Sequence, residues 1–336
     1  MVGSRRLPTR MLVDLPNWVG DQMMTMPAVH RLLQGNRGGT TVLHTRPNML
    51  RFLAAVFPDA EVVSCPHRTS PFSAARRLLQ TGVRFEIGVT LRNSARAKIL
   101  LRLAADWCAG SRGEGARLLL TVACPVDRSR HQIHDADEIL AVLGLEAVDP
   151  SWRPTLPTDL MGEGESMVRE AGVSLPNTVG LAPSTARGVS KRWPVRRYGE
   201  LARRLRARGF DPVVVIGPGE DEMADEVSES ADVDLPVVGR NTDVAGLAAV
   251  ISGLRVLVAN DSGPMQLAAR LGVPVVAIFG PTDPSRTAPV GCGHRVVSSQ
   301  PERGTGTRSV SVDQVEAAAL DLLAEIGREP RGRLVR

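Results

Sequence analysis

Short apolar runs alternate along the chain with longer segments in which apolar residues recur at helical spacing. In the first half, the runs predict strands at residues 11–15, 41–44, 61–64 and 85–91, and the segments between and after them predict helices over 21–33, 46–57, 70–80, 95–105 and 134–143. Strands that alternate with helices of this length are typical of βαβ units in a parallel sheet. The first half therefore predicts a doubly wound α/β domain.

The second half repeats the pattern. It predicts strands at residues 178–182, 212–216, 235–238 and 256–259, and helices over 195–208, 220–230, 244–252 and 312–326. Between the halves, residues 149–159 hold three prolines and predict a linker. A chain of 336 residues also exceeds the usual size of one core. We expect two Rossmann-like domains, residues 1–158 and 159–326, and a flexible tail at 327–336.

Charge is distributed unevenly between the halves. The net charge is +5, and residues 1–160 hold 20 Lys and Arg against 14 Asp and Glu. This excess fits a first domain that meets an anionic partner, such as a phosphorylated glycolipid or a membrane surface, and it also fits ordinary solvation of a large surface. Charge alone leaves both interpretations open.

Cysteine spacing and hydropathy indicate the cellular compartment and whether the chain spans a membrane. Cys65, Cys108, Cys124 and Cys292 lie far apart and form no CxxC pair, so no zinc cage or redox couple is indicated. We expect a reduced, cytoplasmic protein. Nowhere do 18 apolar residues follow one another, so any contact with the inner membrane is expected to be peripheral.

The stretch of residues 258–284, in which a strand, a polar turn, a helix and a second strand follow one another, is the strongest candidate for an anion site. Asn260, Asp261, Ser262 and Gly263 form the turn, and Pro264 suits the first turn of the helix because its missing N–H is not needed there. Free amides and the positive end of the helix dipole bind phosphates at such places. An ordinary helix cap by Asp261 or Ser262 explains the same residues equally well.

The loop after the first strand, PNWVGD at residues 16–21, carries a carboxylate at a helix start. A dinucleotide-binding domain would have GxGxxG here, and this loop has one glycine. Asp21 is either a catalytic carboxylate at the end of the strands or a partner of the helix dipole. Its position alone does not separate these roles.

Two further stretches of the second half follow strands. LAPSTARGVSKRWP at residues 181–194 offers the hydroxyls of Ser184 and Thr185 and the point charge of Lys191 to a phosphate, although basic residues before a helix are often only solvated. Glu220 and Glu222 follow the next strand, where one carboxylate can accept both hydroxyls of a ribose, and helix-start acids are also ordinary dipole partners.

These stretches together resemble a known family. NDSGPMQLAARLGVPVVAIFGPTDP (residues 260–284), PNWVGDQMMTMP (16–27) and PSTARGVSKRWP (183–194) are similar, in order and spacing, to the signature segments of the ADP-heptose:lipopolysaccharide heptosyltransferases, glycosyltransferase family nine. TLRNSARAK (90–98) and HQIHDADEIL (131–140) place the resemblance closest to the heptosyltransferase II type. It covers residues 11–325. It implies the glycosyltransferase B architecture, in which two Rossmann-like doubly wound domains face a cleft.

The resemblance also implies roles for individual residues. Asp21 would be the general base, and Lys191 would stabilise charge on the leaving diphosphate. The donor nucleotide would be bound by Ser184, Thr185, Lys191, Glu220 or Glu222, Asn241, Asp261, Ser262, Gly263 and Gln266. The acceptor would be bound by Asn17, Trp18, Arg92, Asn93, Ser94 and Arg96, with Lys98 a further candidate. Gln266 stands where the family usually carries histidine, and glutamine cannot carry a proton near neutral pH.

The sequence therefore predicts a metal-independent, inverting glycosyltransferase that moves a heptose from ADP-heptose to the inner core of lipopolysaccharide. It is expected to be a monomer, with no cofactor beyond its donor substrate and no nucleic-acid partner. Three alternatives remain: a relative that glycosylates a small secondary metabolite, an NAD-binding oxidoreductase, and a binding protein without catalysis. The missing GxGxxG disfavours the oxidoreductase, and Asp21 together with Lys191 disfavours the binding protein.

Overall fold

The computed structural model describes residues 9–80, 82–173, 177–185, 189–291, 293–299 and 306–328. The chain divides into two compact units, Met1–Trp152 and Arg153–Arg336. Cys292 and residues 329–336 of the predicted tail lie outside the described residues.

The described part of the first unit holds a six-stranded parallel sheet with helices between its strands. The strands are β1 (Arg10–Asp14), β2 (Thr40–Thr45), β3 (Glu61–Ser64), β4 (Phe85–Thr90), β5 (Ala105–Ser111) and β6 (Val122–Cys124). The helices are α1 (Val19–Gly35), α2 (Leu50–Val56), α3 (Pro71–Leu78), α4 (Ala95–Ala104), α5 (Ala116–Leu119) and α6 (Asp137–Val142), with 3₁₀ turns at Pro47–Met49 and Gln132–His134. The strand order is β3-β2-β1-β4-β5-β6.

Burial explains why β1 lies at the centre of this sheet. Met11, Leu12 and Val13 are completely buried, and these successive side chains point to opposite faces of the strand. A central strand of a parallel sheet must be apolar on both faces because helices cover both. Helix α4 covers part of one face, with Leu101 packed in the same cluster as Leu12.

The described part of the second unit repeats this architecture. Its strands are β7 (Thr178–Ala182), β8 (Asp211–Val215), β9 (Val237–Val238), β10 (Val256–Asn260), β11 (Val275–Phe279) and β12 (His294–Ser298). Its helices are α7 (Thr158–Glu170), α8 (Val195–Ala207), α9 (Asp221–Ala231), α10 (Val244–Ser252), α11 (Gly263–Leu271), α12 (Pro284–Thr287) and α13 (Val312–Arg328), with 3₁₀ turns at Val189–Lys191 and Gly306–Ser309. The strand order is β12-β11-β10-β7-β8-β9.

Helix α11 links the paired strands β10 and β11. It ends at Gly272, whose φ of 80° places it in the left-handed region that glycine adopts without steric cost. The chain then turns directly into β11, all of whose residues are buried. The N-terminus of α11 is thereby fixed at the end of β10.

Both sheets have the same topology. In each unit the first strand lies between the second and the fourth, so the chain progresses to opposite edges from that point: β1 lies between β2 and β4, and β7 between β8 and β10. Ligands of open α/β sheets bind beyond the carboxyl ends of the strands at such a switch point. The topology therefore directs attention to the loops after β1 and β4, and after β7 and β10.

Some elements differ from the sequence-based expectation. The structure adds three strands and three helices that the pattern did not predict: β5, β6, β12, α5, α7 and α12. Strand β5 begins at the residue after α4 ends, with no turn to separate them, and α7 contains Gly162 and Gly164, which lower helix propensity. The helix predicted over residues 134–143 is instead a 3₁₀ turn followed by the shorter α6.

Three of the four cysteines lie within the described residues. Cys65, Cys108 and Cys124 are buried free thiols. Within the described ranges, no helix is both long enough and apolar enough to span a membrane.

Candidate active site

The switch point of the first unit carries a polar layer at the ends of three neighbouring strands. Asp14 on β1 is in register with His44 on β2 and with Thr90 on β4. The Asp14 carboxylate accepts a hydrogen bond from Thr90 Oγ1 at 2.9 Å and lies 2.7 Å from His44 Nδ1. All three side chains are buried, so they form a fixed polar cluster at the carboxyl edge of the sheet.

Asp14 is ionised because an arginine pairs with it. Arg92 Nε donates to Asp14 Oδ2 at 2.7 Å, and a second guanidinium nitrogen donates to Oδ1. Burial by itself would raise the pKa of Asp14, but the charge of Arg92 and the hydrogen bond to His44 outweigh it and lower the pKa to about 2. Burial also disfavours the charged form of His44, yet the bond to Asp14 raises the pKa of this imidazole.

Asn17 joins this arginine to a second one. Its Oδ1 accepts from Arg92 at 2.9 Å and from Nε of Arg46 at 2.8 Å. Arg46 Nη2 donates to the same Asn17 oxygen, and Arg46 Nη1 donates to the carbonyl oxygens of Cys65 and Pro66, at 3.2 and 2.8 Å. Both guanidinium groups are therefore held around one amide oxygen in the loop that follows β1.

Asp21 lies in the first turn of α1, four residues beyond Asn17. This helix has no side-chain cap at Trp18, so the carboxylate of Asp21 lies next to unpaired amides and the positive end of the helix dipole. Gln132 Nε2 donates to Asp21 Oδ1 at 3.1 Å. The neighbouring Gln22 fixes the loop because its amide donates to the Pro16 carbonyl at 2.8 Å.

The other predicted acceptor residues have mixed placements. Trp18 is exposed, and Arg96 is exposed with one bond to the Thr69 carbonyl at 3.1 Å. Ser94 caps α4 by accepting from the Ala97 amide at 3.3 Å. Asn93 Oδ1 accepts from Lys98 at 3.2 Å.

Lys98 does not fit an acceptor-binding role. Its side chain is completely buried, and its ammonium donates to Asn93 and to the Glu114 carbonyl at 2.9 Å. Burial lowers the pKa of Lys98. The lysine therefore fixes the loop that carries Asn93, and its burial counts against the predicted contact with the acceptor.

In the second unit, Asn260 holds the two candidate loops together at the switch point. This completely buried residue ends β10, donates to the Pro183 carbonyl at 2.8 Å and accepts from the Trp193 amide at 2.9 Å. Ser184 and Thr185 directly follow Pro183 and are almost buried. One side chain thus brings together residues 183–185, residues 191–194 and the turn after β10.

Lys191 and Asp261 form an ion pair at this place. Lys191 Nζ lies 2.6 Å from Asp261 Oδ2, and Thr282 Oγ1 donates to the same oxygen at 2.8 Å. The Lys191 side chain is 28% exposed, against 9% for Asp261. The ammonium is therefore held in a fixed position and still reaches solvent.

The start of α11 lies beside this pair. Ser262 occupies the N-cap position and its side chain makes no capping bond. Its Oγ is buried and has no hydrogen-bond partner among the described residues. Gly263 opens the helix, and Gln266 one turn later donates to the Thr287 carbonyl at 2.6 Å. The helix start thus presents amides and a hydroxyl with unused hydrogen-bonding capacity.

The candidates for the nucleoside lie on neighbouring loops. Glu220 accepts from the Gly217 amide at 2.8 Å, which turns its carboxylate back toward the end of β8, whereas Glu222 is exposed in the first turn of α9. Asn241 is exposed and has a φ of 54°. Asparagine is one of the few residues that tolerate this conformation, so the backbone alone accounts for its presence.

Sequence reasoning missed several residues of both sites. Asp14, His44, Thr90 and Asn260, the last of which was predicted only as part of a turn, share one signal: a polar residue at or next to the carboxyl end of a strand, after apolar residues. In a buried parallel strand such a residue needs a partner, so it marks a polar cluster. Thr282 and Arg46 carry no comparable signal.

Comparison with known proteins decides the family. The model of glycosyltransferase family 9 (heptosyltransferase) matches residues 72–314. The chain belongs to glycosyltransferase family 9. It is therefore a glycosyltransferase, as its motifs predict.

Family 9 relatives match along most of the chain. Lipopolysaccharide heptosyltransferase 2 of Salmonella typhimurium is 28% identical over 309 residues, which cover 86% of this chain and 87% of that protein. Lipopolysaccharide heptosyltransferase 2 of Escherichia coli is 27% identical over 315 residues, with coverages of 86% and 87%. The similarity to the heptosyltransferase II type is thereby confirmed.

Solved structures extend the comparison to the fold. A family 9 glycosyl transferase from Veillonella parvula has a TM-score of 0.86 at 21% identity and covers 96% of this chain and 100% of that one. The ADP-heptose lps heptosyltransferase II of E. coli has a TM-score of 0.78 at 22% identity, with coverages of 94% and 99%. At these identities the likeness shows the fold, and the prediction of two Rossmann-like doubly wound domains is confirmed.

Proposed function

We propose that this family 9 chain is an inverting transferase that moves a heptose from ADP-heptose to an anionic acceptor, the inner core of lipopolysaccharide. One observation carries the proposal: in each unit, charged candidates follow the first and fourth strands, on the two sides of the topological switch point. Asp21 and Arg92 follow β1 and β4, and Lys191 and Asp261 follow β7 and β10. The names of the heptosyltransferase 2 relatives support the sugar and the acceptor.

In the proposed reaction, Asp21 is the general base. The acceptor hydroxyl attacks the anomeric carbon of the heptose, its proton passes to the Asp21 carboxylate, and the bond from the anomeric carbon to the diphosphate oxygen breaks with its electron pair. ADP leaves, and attack from the opposite face inverts the anomeric centre. A base is needed because a sugar hydroxyl is a weak nucleophile until its proton is accepted. The helix start and the bond from Gln132 hold Asp21 in one orientation.

The second unit binds the departing diphosphate. Lys191 supplies a fixed positive charge, and the amides of Ser262 and Gly263 at the start of α11 supply donors and the helix dipole. Ser184 and Thr185 border the same place through Asn260. Since these groups stabilise the charge that builds on ADP, we propose that transfer needs no metal ion.

The bonds of Glu220 favour it over Glu222 as the residue that accepts the ribose hydroxyls. Its carboxylate is directed toward the end of β8, and one of its oxygens is held by the Gly217 amide. The role of Asn241 beside the adenine stays a prediction, as do a monomeric state and peripheral contact with the inner membrane.

A transfer assay tests the proposal. Purified full-length chain is incubated with ADP-heptose, UDP-heptose or GDP-heptose and a panel of acceptors, which includes Kdo-bearing lipid A and small hydroxylated molecules, with and without a chelator. Mass spectrometry should detect the addition of one heptose to the Kdo-bearing acceptor from ADP-heptose alone, and the chelator should not change the rate. Transfer to small molecules only would refute the acceptor, and no transfer of heptose at all would refute the function.

A further inference from the structure

The first unit concentrates positive charge around a single carboxylate. Burial lowers the pKa of Arg46, and the nearby charges of Arg92 and Arg96 lower it further. Asp14 is the carboxylate beside these arginines, and Arg92 pairs with it through two hydrogen bonds. Among the described residues, Arg46 donates only to neutral oxygens, those of Asn17, Cys65 and Pro66. The cluster therefore keeps a net positive charge that its own bonds do not neutralise.

The two inner guanidinium groups are also rigidly placed. Arg92 Nη1 and Arg46 Nε lie 2.9 and 2.8 Å from the same Asn17 oxygen. Like charges repel at this separation, so the amide oxygen and the Asp14 carboxylate are what hold them together. The Arg92 side chain is 13% exposed and Asp14 is not exposed at all. The arrangement resembles the paired, pre-oriented donors with which proteins bind carboxylates and phosphates.

The position of the cluster connects it to the transfer reaction. Arg92 follows β4, Asn17 follows β1, and these two strands flank the switch point of the unit. Asn17 and Asp21 are four residues apart on one loop and helix start, so their Cα atoms are at most about 14 Å apart. A group bound by the arginines therefore lies at the same edge of the sheet as the candidate base.

We propose that Arg46 and Arg92, joined by Asn17 and anchored by Asp14, form a binding site for a carboxylate or phosphate group of the acceptor. The identity of the bound molecule as the acceptor rests on the proposed transfer function. The negative charge of the bound group is inferred from the cluster alone. Asn17 and Asp14 are positioning residues, because their polar atoms face the arginines. Arg46, which the sequence did not single out, is the principal new ligand-binding residue.

Acceptor kinetics test the site with Arg46→Gln, Arg46→Lys and a control, Arg102→Gln, an exposed arginine at the other end of α4. Loss of a charge-assisted pair should raise KM for Kdo-bearing lipid A by about 10–100-fold. KM for ADP-heptose should be nearly unchanged, Arg46→Lys should recover part of the loss, and Arg102→Gln should match the wild type.

The charge of the acceptor is varied in the same assay. Methyl esterification of its carboxylates removes one candidate group, and removal of its phosphates removes the other. With one of these acceptors, the wild type and Arg46→Gln should have the same KM. The group that this acceptor lacks is then the group that the site binds. If the penalty of Arg46→Gln is absent, or is equal for all three acceptors, the site is refuted because the effect does not depend on the anion.

A second measurement does not need transfer. Full-length chain is treated with phenylglyoxal in inorganic phosphate, in acetate or in chloride of equal ionic strength, and modified arginines are located by peptide mass spectrometry. Phosphate or acetate should protect Arg46 and Arg92 and leave Arg102 reactive. Protection without any heptose transfer would support the anion site and count against the proposed function alone. Equal reactivity of Arg46 and Arg92 in all three salts would overturn the site.

Discussion

The buried Asp14 allows a quantitative prediction about stability. In the variant Asp14→Asn the side chain keeps its size, and the negative charge between Arg92 and His44 is lost. The variant should destabilise the sheet of the first unit at neutral pH. It should have a smaller effect in acid, because wild-type Asp14 itself becomes neutral there.

The magnitude follows from the pKa of Asp14. This pKa falls from 3.8 to about 2 on folding, so the ionised carboxylate stabilises the fold by about 2–3 kcal/mol. Because the folded-state pKa is depressed, this contribution is complete above the unfolded value of 3.8 and disappears as the pH falls toward about 2. Removal of one partner of a buried pair can cost as much as about 3–5 kcal/mol, which sets the upper limit at neutral pH.

Hydrogen exchange measures the effect in the unit concerned. Exchange of peptides from β1, β2 and β4 is followed by mass spectrometry at increasing urea, at pH 7 and at the lowest pH at which the wild type stays folded. Peptides from β7 and β10 serve as internal references in the same samples. The matched control is Asp106→Asn, which removes a carboxylate that is 58% exposed and paired with Arg84; such pairs contribute about 0–1 kcal/mol.

Two results would refute this reasoning. The first is an Asp14→Asn variant whose β1 peptides are as stable as those of the wild type at pH 7. The second is a difference between the two proteins that stays constant as the pH falls below 3.8 toward about 2. Either would mean that the charge of Asp14 contributes no net stability.

Three further predictions concern the second unit. Lys191→Gln should weaken ADP binding in calorimetry by about 10–100-fold because it removes a charge-assisted contact and leaves Asp261 unpaired beside the diphosphate; an unchanged Kd would exclude the contact. Glu220→Gln should reduce the preference for ADP over 2′,3′-dideoxy-ADP, and Glu222→Gln should preserve it; the reverse result would assign the ribose to Glu222. Gln266→His should add an ionisation with a pKa near 6.5 to the pH dependence of transfer, whereas a profile like that of the wild type would place residue 266 away from the reacting groups.

The sequence predicts the alternation of strands and helices because each central strand is an apolar run, as in β1 and β10. It also places Asp21 at a helix start and Lys191 beside the β10 turn by motif. The polar layer could not be predicted in the same way. Asp14 and Thr90 are 76 residues apart, and only the strand order makes them neighbours.

Side-chain roles inside a loop are equally hard to derive from sequence. Asn17 was expected to contact the acceptor, and the structure directs its oxygen to two arginines. Lys98 has the sequence context of an exposed basic helix face, yet its burial shows that the helix is rotated so that this position faces the core. Both outcomes depend on long-range packing, which local patterns do not encode.

The central claim is that Asp21 accepts the proton of the acceptor while the second unit binds the leaving diphosphate. Its most direct test compares the wild type with Asp21→Asn. The control is Asp59→Asn, which changes an exposed carboxylate in the same unit. Heptose transfer from ADP-heptose is measured by mass spectrometry, and ADP binding by calorimetry. The account predicts that Asp21→Asn lowers the rate of transfer by about 100–10,000-fold and leaves the Kd for ADP nearly unchanged. Transfer at the wild-type rate by Asp21→Asn would contradict it.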